Sequence, residues 1–283
     1  MALPFIPSDG VAIALQAGCV AAPRSVPQLK IAERLRGPAW ALVPIGSIVV
    51  VIFAIRYVNS TATGLTYLAL VAVPPLAAAA LGWTMRGARP WLALAVAPLF
   101  ALAWAIPSTL VGQGSAALLS ALSVVTLGVL LSMVTPPGWM KIGIILMACA
   151  DSWLVITDLL QAPNSALVAA APAAGLPQLQ SVLFGTVSLG YGDLFVAALL
   201  GAVLASSWRR QRGAALLVFV LAALFDLLFL VVNELPATVP VAAAVIVIEI
   251  WDRRQALRAR LGAPMRSQRV RAPAAQARNT APP

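Results

Sequence analysis

Runs of about 20 apolar residues recur along this chain, each long enough to cross a bilayer core of about 30 Å. Inside such a core every backbone N–H and C=O must be bonded within its own segment, so the runs are expected to be helices. A membrane β-barrel would show strands of about 10 residues with alternating polarity, and the sequence has no such alternation. Hydrophobic residues fill 61% of the 283 positions and charged residues 10%. Soluble domains carry roughly half and a quarter, so the apolar excess is too large for a water-soluble core. The expected fold class is all-α, a polytopic integral membrane protein.

Eight spans are expected, over Pro38–Val58, Leu65–Met85, Pro90–Val111, Ala116–Val134, Trp139–Leu160, Ser181–Trp208, Ala214–Val232 and Pro236–Trp251. Loop charge orients them. Arg86 and Arg89 follow the second span, Lys141 opens the fifth, and Arg209, Arg210 and Arg212 follow the sixth, whereas Gly112–Ser115 and Gln161–Gln180 carry no charge. The positive-inside rule then puts both termini in the cytoplasm, with Arg56 snorkelling from the outer end of its span. Residues 1–37 read as a cytoplasmic or interfacial segment, 38–134 as a four-helix membrane part, 138–251 as a second four-helix part, and 252–283 as a basic, disordered cytoplasmic tail. The localisation is a cell membrane, and arginine outnumbering lysine 17 to 2 in an alanine-rich chain points to a GC-rich bacterial genome.

The formal charge of +10 is placed between spans and in the tail, which suits anionic lipid headgroups rather than nucleic acid. The chain has no histidine, and Cys19 and Cys149 are far apart without metal-ligand spacing, so neither a metal nor a cofactor is expected. Val11–Ala22 is too short, and its basic residues are on the wrong side, for a cleavable signal peptide. Tryptophans at span ends, such as Trp40, Trp139, Trp208 and Trp251, fit interfacial belts.

The first four spans are almost free of charge, and the last four carry Asp151, Asp158, Asp193 and Asp226. An ionisable residue at the bilayer centre costs about 2.5–3.5 kcal/mol, so such residues point to a functional interior. Asp151 and Asp193 lie within consecutive, antiparallel spans near mid-membrane, where they can face each other. Two adjacent carboxyls hold one shared proton: the ionised group activates water and the protonated one polarises a carbonyl, which is amide hydrolysis without a metal. Gly190 and Gly192 flank Tyr191 just before Asp193 and loosen the helix start, giving an extended substrate something to pair with. Leu235-Pro236-Ala237-Thr238-Val239-Pro240 breaks the start of the last span and leaves carbonyls free at membrane depth.

These elements, in this order, resemble the presenilin and signal peptide peptidase family of intramembrane aspartyl proteases. That family has one aspartate in Tyr-Asp, a second in Gly-x-Gly-Asp on the next helix, and Pro-Ala-Leu at the start of its last helix. Gly190-Tyr191-Gly192-Asp193 matches the second motif in full. Asp151 matches the first aspartate with Ala150 in place of tyrosine, and Pro236-Ala237 matches two positions of the third with Thr238 in place of leucine. The resemblance covers roughly residues 139–251. It implies an Asp151–Asp193 dyad, a substrate site shaped by Gly190, Tyr191, Gly192, Leu235, Pro236 and Ala237, and transmembrane peptide substrates. It also implies nine spans, the additional one near the N-terminus. The topology read from loop charge sends the Asp151 helix outward, which looks like the signal peptide peptidase orientation and is opposite to presenilin.

Asp158 is a second choice for the partner of Asp193. Prepilin peptidases share Gly-x-Gly-Asp and a run similar to Ala197-Ala198-Leu199-Leu200-Gly201, but usually have lysine where this chain has Phe195. Leu189-Gly190-Tyr191-Gly192-Asp193 also looks like a potassium-channel filter, although Thr186-Val187 stands two residues too early. A transporter using its aspartates for proton or cation coupling is the remaining reading. Asp226 has no assigned role, and Glu249 and Asp252 are expected to pair with arginines of the tail.

Overall fold

The computed structural model describes residues 7–26, 30–57, 61–157, 159, 165–167, 169–170, 172–230 and 235–261. Asp158, Asn233, Glu234 and the basic tail from residue 262 onward lie outside the described residues. The chain divides into two units, Met1–Val247 and Ile248–Pro283. In the second, Glu249 pairs with Arg253 at 3.6 Å.

The helices are α1 (Pro7–Ala21), α2 (Lys30–Leu35), α3 (Val43–Tyr57), α4 (Thr61–Ala79), α5 (Val96–Ala105), α6 (Leu110–Val134), α7 (Pro137–Ile156), α8 (Tyr191–Leu204), α9 (Trp208–Asp226) and α10 (Val239–Leu261). Two strands, β1 (Ser181–Phe184) and β2 (Val187–Gly190), precede α8. Among the described residues, three helical segments are long and apolar enough to cross a membrane: Thr61–Thr84, Leu110–Val134 and Pro137–Ile156. The first contains Pro74 and Pro75, which remove two helical amide donors, and it closes in a π turn over Ala80–Thr84. Pro90–Ala105 and Tyr191–Leu204 are apolar but shorter.

α6 is the packing centre. It touches α4, α5, α8 and β1, and buries most of its length. Small residues let backbones approach: a Cβ at Gly128 would lie 3.0 Å from the Ala198 carbonyl oxygen on α8. Its buried hydroxyls are bonded across helices, Thr126 donating to the Leu76 carbonyl at 2.8 Å and meeting Thr84 at 3.0 Å. A buried hydroxyl left without such a partner would cost its full desolvation, about 1–3 kcal/mol.

The N-terminal segment differs from its expected place at the surface. α1 packs against α6, α8 and α9, with Cys19 and Val20 fully enclosed. Its first turn meets the hairpin, Ser8 to Thr186 at 3.1 Å, and the chain after its last turn pairs with the segment following α4: Arg24 N–H to Thr84 O at 3.0 Å, and Arg86 N–H to Ala22 O at 2.8 Å. α1 therefore runs the depth of the bundle. The helix is interrupted by polar residues, but Gln16 finds a partner in the Ala237 carbonyl at 2.7 Å, which offsets the cost of burying its amide.

The expected sixth span is also corrected. Ser181–Trp208 is not one helix. Residues 181–190 form an antiparallel hairpin with Phe184 paired to Val187, and the helix begins only at Tyr191. Gly185, at φ +61°, occupies the first turn position, which a side chain would strain. The turn is held by Gln113 at the start of α6, whose Oε1 accepts the Gly185 N–H at 2.8 Å.

Candidate active site

α6 serves as a depth gauge for the second half of the chain. Its 25 residues span about 37 Å at 1.5 Å per residue. Gly185 is bonded at its start, and the Leu179 carbonyl accepts from Ser120 at 3.0 Å further along. The Tyr191 hydroxyl lies 2.7 Å from Ser123, half way down α6, and Ala198 abuts Gly128 beyond. The hairpin thus fills the first half of the depth, and α8 starts in the middle. Asp193, in the first turn of α8, is therefore at mid-depth although it is not mid-helix.

Local structure explains the glycines and the aspartate. Asp193 is the third residue of α8, and its Oδ2 accepts the Gly190 N–H at 3.0 Å. A carboxylate reaching back to the residue before the helix satisfies an amide that otherwise has no helical acceptor. A Cβ at Gly190 would stand 3.0 Å from that same oxygen, so glycine there keeps the carboxylate uncrowded. Nothing lies within 4 Å of a Cβ at Gly192, which leaves open space beside Asp193. Tyr191 is anchored away from this space. Its ring packs on a core cluster that includes Leu119 and Leu122 of α6, and its hydroxyl bonds Ser123.

α7 packs against α8 and brings Asp151, three-quarters of the way along α7, within electrostatic reach of the Asp193 carboxyl. Asp151 Oδ2 accepts the Thr238 hydroxyl at 2.6 Å, and the Thr238 amide also bonds this carboxylate. Thr238 is 3% exposed and immediately precedes α10. That is the place where a threonine ordinarily caps a helix with its own side chain. Here the hydroxyl goes to Asp151 instead. Leu235, Pro236 and Ala237 lead into this turn and are partly buried, and Gln16 of α1 holds the Ala237 carbonyl. The irregular stretch before α10 thus meets α1 and α7 inside the bundle.

Asp151, Asp193, Gly190, Gly192 and the Leu235–Ala237 turn belong to one neighbourhood. Tyr191 supports it from the core side. Asp226 is buried at the last residue of α9. In the sequence, Thr238 stands out only as a departure from a motif. Gln16, in a segment remote from every motif, gives no signal at all.

A groove of about 450 Å³ opens between α7 and α10, lined by sequence neighbours of Asp151 and Thr238 but not by either of the two aspartates. Ala148, Cys149, Ser152 and Trp153 form one wall, and Val239 and Ala242 contribute to the other. Cys149 is exposed there, whereas Cys19 is buried under α6 and α8. Among the described residues no group of three or more metal-ligating side chains occurs.

No protein-family model matches the chain, and no curated protein and no solved structure matches it either.

Proposed function

We propose that the chain is an intramembrane aspartyl protease of the presenilin and signal peptide peptidase type, with Asp151 and Asp193 as its dyad. The observation that carries this is the convergence of two aspartates from packed neighbouring helices at mid-depth of an apolar bundle. One carboxylate takes a proton from water while the other gives its proton to the substrate carbonyl oxygen. The C–O bond forms, the C–N bond breaks, and the amine leaves with a proton. The hairpin that runs directly into Asp193 offers a strand edge to which an unwound substrate can add. The α7–α10 groove is lined mainly by apolar residues and is the proposed path for a substrate segment from the lipid side.

The same reading gives nine spans, with α1 added to α3 through α10. The charge-free loops and the hairpin turn then lie outside with the N-terminus, and the basic loops and the tail lie in the cytoplasm. In counting α1 as a span, this reading departs from the expectation of two cytoplasmic termini.

The test is cleavage of a labelled transmembrane peptide by the purified protein in lipid vesicles. Hydrolysis of the peptide within its apolar segment is expected, and its absence over a panel of substrates of both orientations would remove the proposal. Two variants probe the parts. Thr238→Val keeps the shape and removes the hydroxyl that fixes Asp151. A hydrogen bond to a charged group is worth about 1.5–3 kcal/mol, so kcat should fall roughly 10- to 100-fold, with Thr238→Ser retaining most of it. An unchanged kcat in Thr238→Val would show that Asp151 needs no such hold. Separately, a bulky maleimide placed on Cys149 should block cleavage while a methylthio group does not, Cys19 remaining unlabelled in the folded protein. Full labelling without inhibition would rule out the α7–α10 groove as the substrate path.

A further inference from the structure

α1 carries neither aspartate, yet its buried face touches the segments that carry or hold both. Its buried residues are Ser8, Ala12, Gln16, Cys19 and Val20, three or four positions apart and so one stripe along the helix. At one end of the stripe the Ser8 hydroxyl meets Thr186 of the hairpin that leads into Asp193. At the other end backbone meets backbone. A Cβ on Gly201 of α8 would collide with the Val20 carbonyl and lie 3.0 Å from that of Cys19. Asp193 is about two turns before Gly201 on the same helix. α1 is therefore fixed against the element that carries Asp193.

Gln16, one turn before Val20, is 3% exposed, and its Nε2 donates to the Ala237 carbonyl at 2.7 Å. The next residue is Thr238, whose hydroxyl and amide both bond Asp151. The Ala237 C=O and the Thr238 N–H are the two ends of one planar peptide group. Gln16 grips its oxygen, and the Asp151 carboxylate takes its hydrogen. Fixing the oxygen fixes the direction of the N–H, and each bond polarises the group in favour of the other. We infer that Gln16 is a positioning residue for Asp151: through it, α1 sets how that carboxylate is presented to the helix that carries Asp193. The catalytic consequence rests on the protease reading above, and the hold on the turn does not.

Two measurements on the full chain separate these. Hydrogen exchange of the Ala237, Thr238 and Val239 amides reads the hold with no substrate present. Gln16→Met keeps the length of the side chain and removes the donor. It should speed that exchange about tenfold while the amides of α6 exchange as in wild type. Cleavage of the labelled transmembrane peptide reads the consequence. Gln16→Met should lower kcat about tenfold with KM unchanged. Combined with Thr238→Val it should cost clearly less than the product of the two single losses, because both act on one carboxylate. Thr126→Val, which removes a buried hydroxyl bonded to α4, should lower the thermal midpoint and leave kcat unchanged. Unchanged exchange in Gln16→Met would overturn the hold. Faster exchange with unchanged kcat, or losses that multiply in the double variant, would overturn the positioning of Asp151. Absence of cleavage by wild type removes the protease reading instead, and the exchange result still decides the hold.

Discussion

Asp193→Asn and Asp151→Asn should each reduce intramembrane cleavage by about 10²–10⁴-fold, effectively to background. Asparagine keeps the size and one accepting oxygen. In Asp193→Asn that oxygen can still take the Gly190 N–H, and in Asp151→Asn it can still take the Thr238 hydroxyl, so both structural contacts survive. What is lost is the ability to hold and exchange a proton. The thermal midpoint should therefore stay near wild type while activity disappears. Asp193→Ala differs: it also releases the Gly190 amide, which costs about 1 kcal/mol of stability at a helix start. The wild-type rate should be bell-shaped in pH. Below the optimum both carboxyls are protonated and no base remains; above it both are ionised and no acid remains. Cleavage that survives both asparagine changes would sink the dyad.

Gln211→Leu should destabilise the protein by about 3 kcal/mol or more, measured as thermal unfolding in detergent. Gln211 is fully buried, and its amide joins four parts of the bundle. Its Nε2 donates to Val20 O at 2.9 Å, Pro23 O at 2.8 Å and Gly201 O at 3.3 Å. Its Oε1 accepts from Arg86 Nε at 2.9 Å and Nη2 at 2.6 Å, and Arg86 also lies over the Trp208 ring at 4.5 Å. Leucine fills the volume but strands these carbonyls and a guanidinium. Gly201 tests the same joint sterically, because a Cβ there would collide with the Val20 carbonyl. Gly201→Ala should cost about 1–3 kcal/mol through overpacking. Gly213→Ala, on α9 with nothing within 4 Å of the added Cβ, should be neutral or slightly stabilising. Equal midpoints for Gln211→Leu and wild type would show that the joint carries no stability.

The lengths of the apolar runs determined much of this protein without tertiary information. They located the helical segments now seen at Thr61–Thr84, Leu110–Val134 and Pro137–Ile156, because apolar run length and the 1.5 Å rise act locally, and these three are long and apolar enough to cross a bilayer. The cost of charge in an apolar medium marked Asp151, Asp158, Asp193 and Asp226 in the same way. The hairpin was not legible. Ser181 to Gly190 is short and largely apolar, and a buried strand and a buried helix segment then look alike. Its extended form depends on Gln113 of α6, 72 positions from the Gly185 amide that it holds. The burial of α1 was not legible either: residues 1–37 are mixed in composition with charges at Arg24, Lys30, Glu33, Arg34 and Arg36, and the partner that offsets the burial of Gln16, the Ala237 carbonyl, is 221 positions distant. Thr238 was visible only as a mismatch until its hydroxyl was found on Asp151. Spacing along the chain sets what a segment can become on its own. Which carboxylate, amide or carbonyl completes a buried polar group is a non-local matter, and the tertiary structure alone decided it.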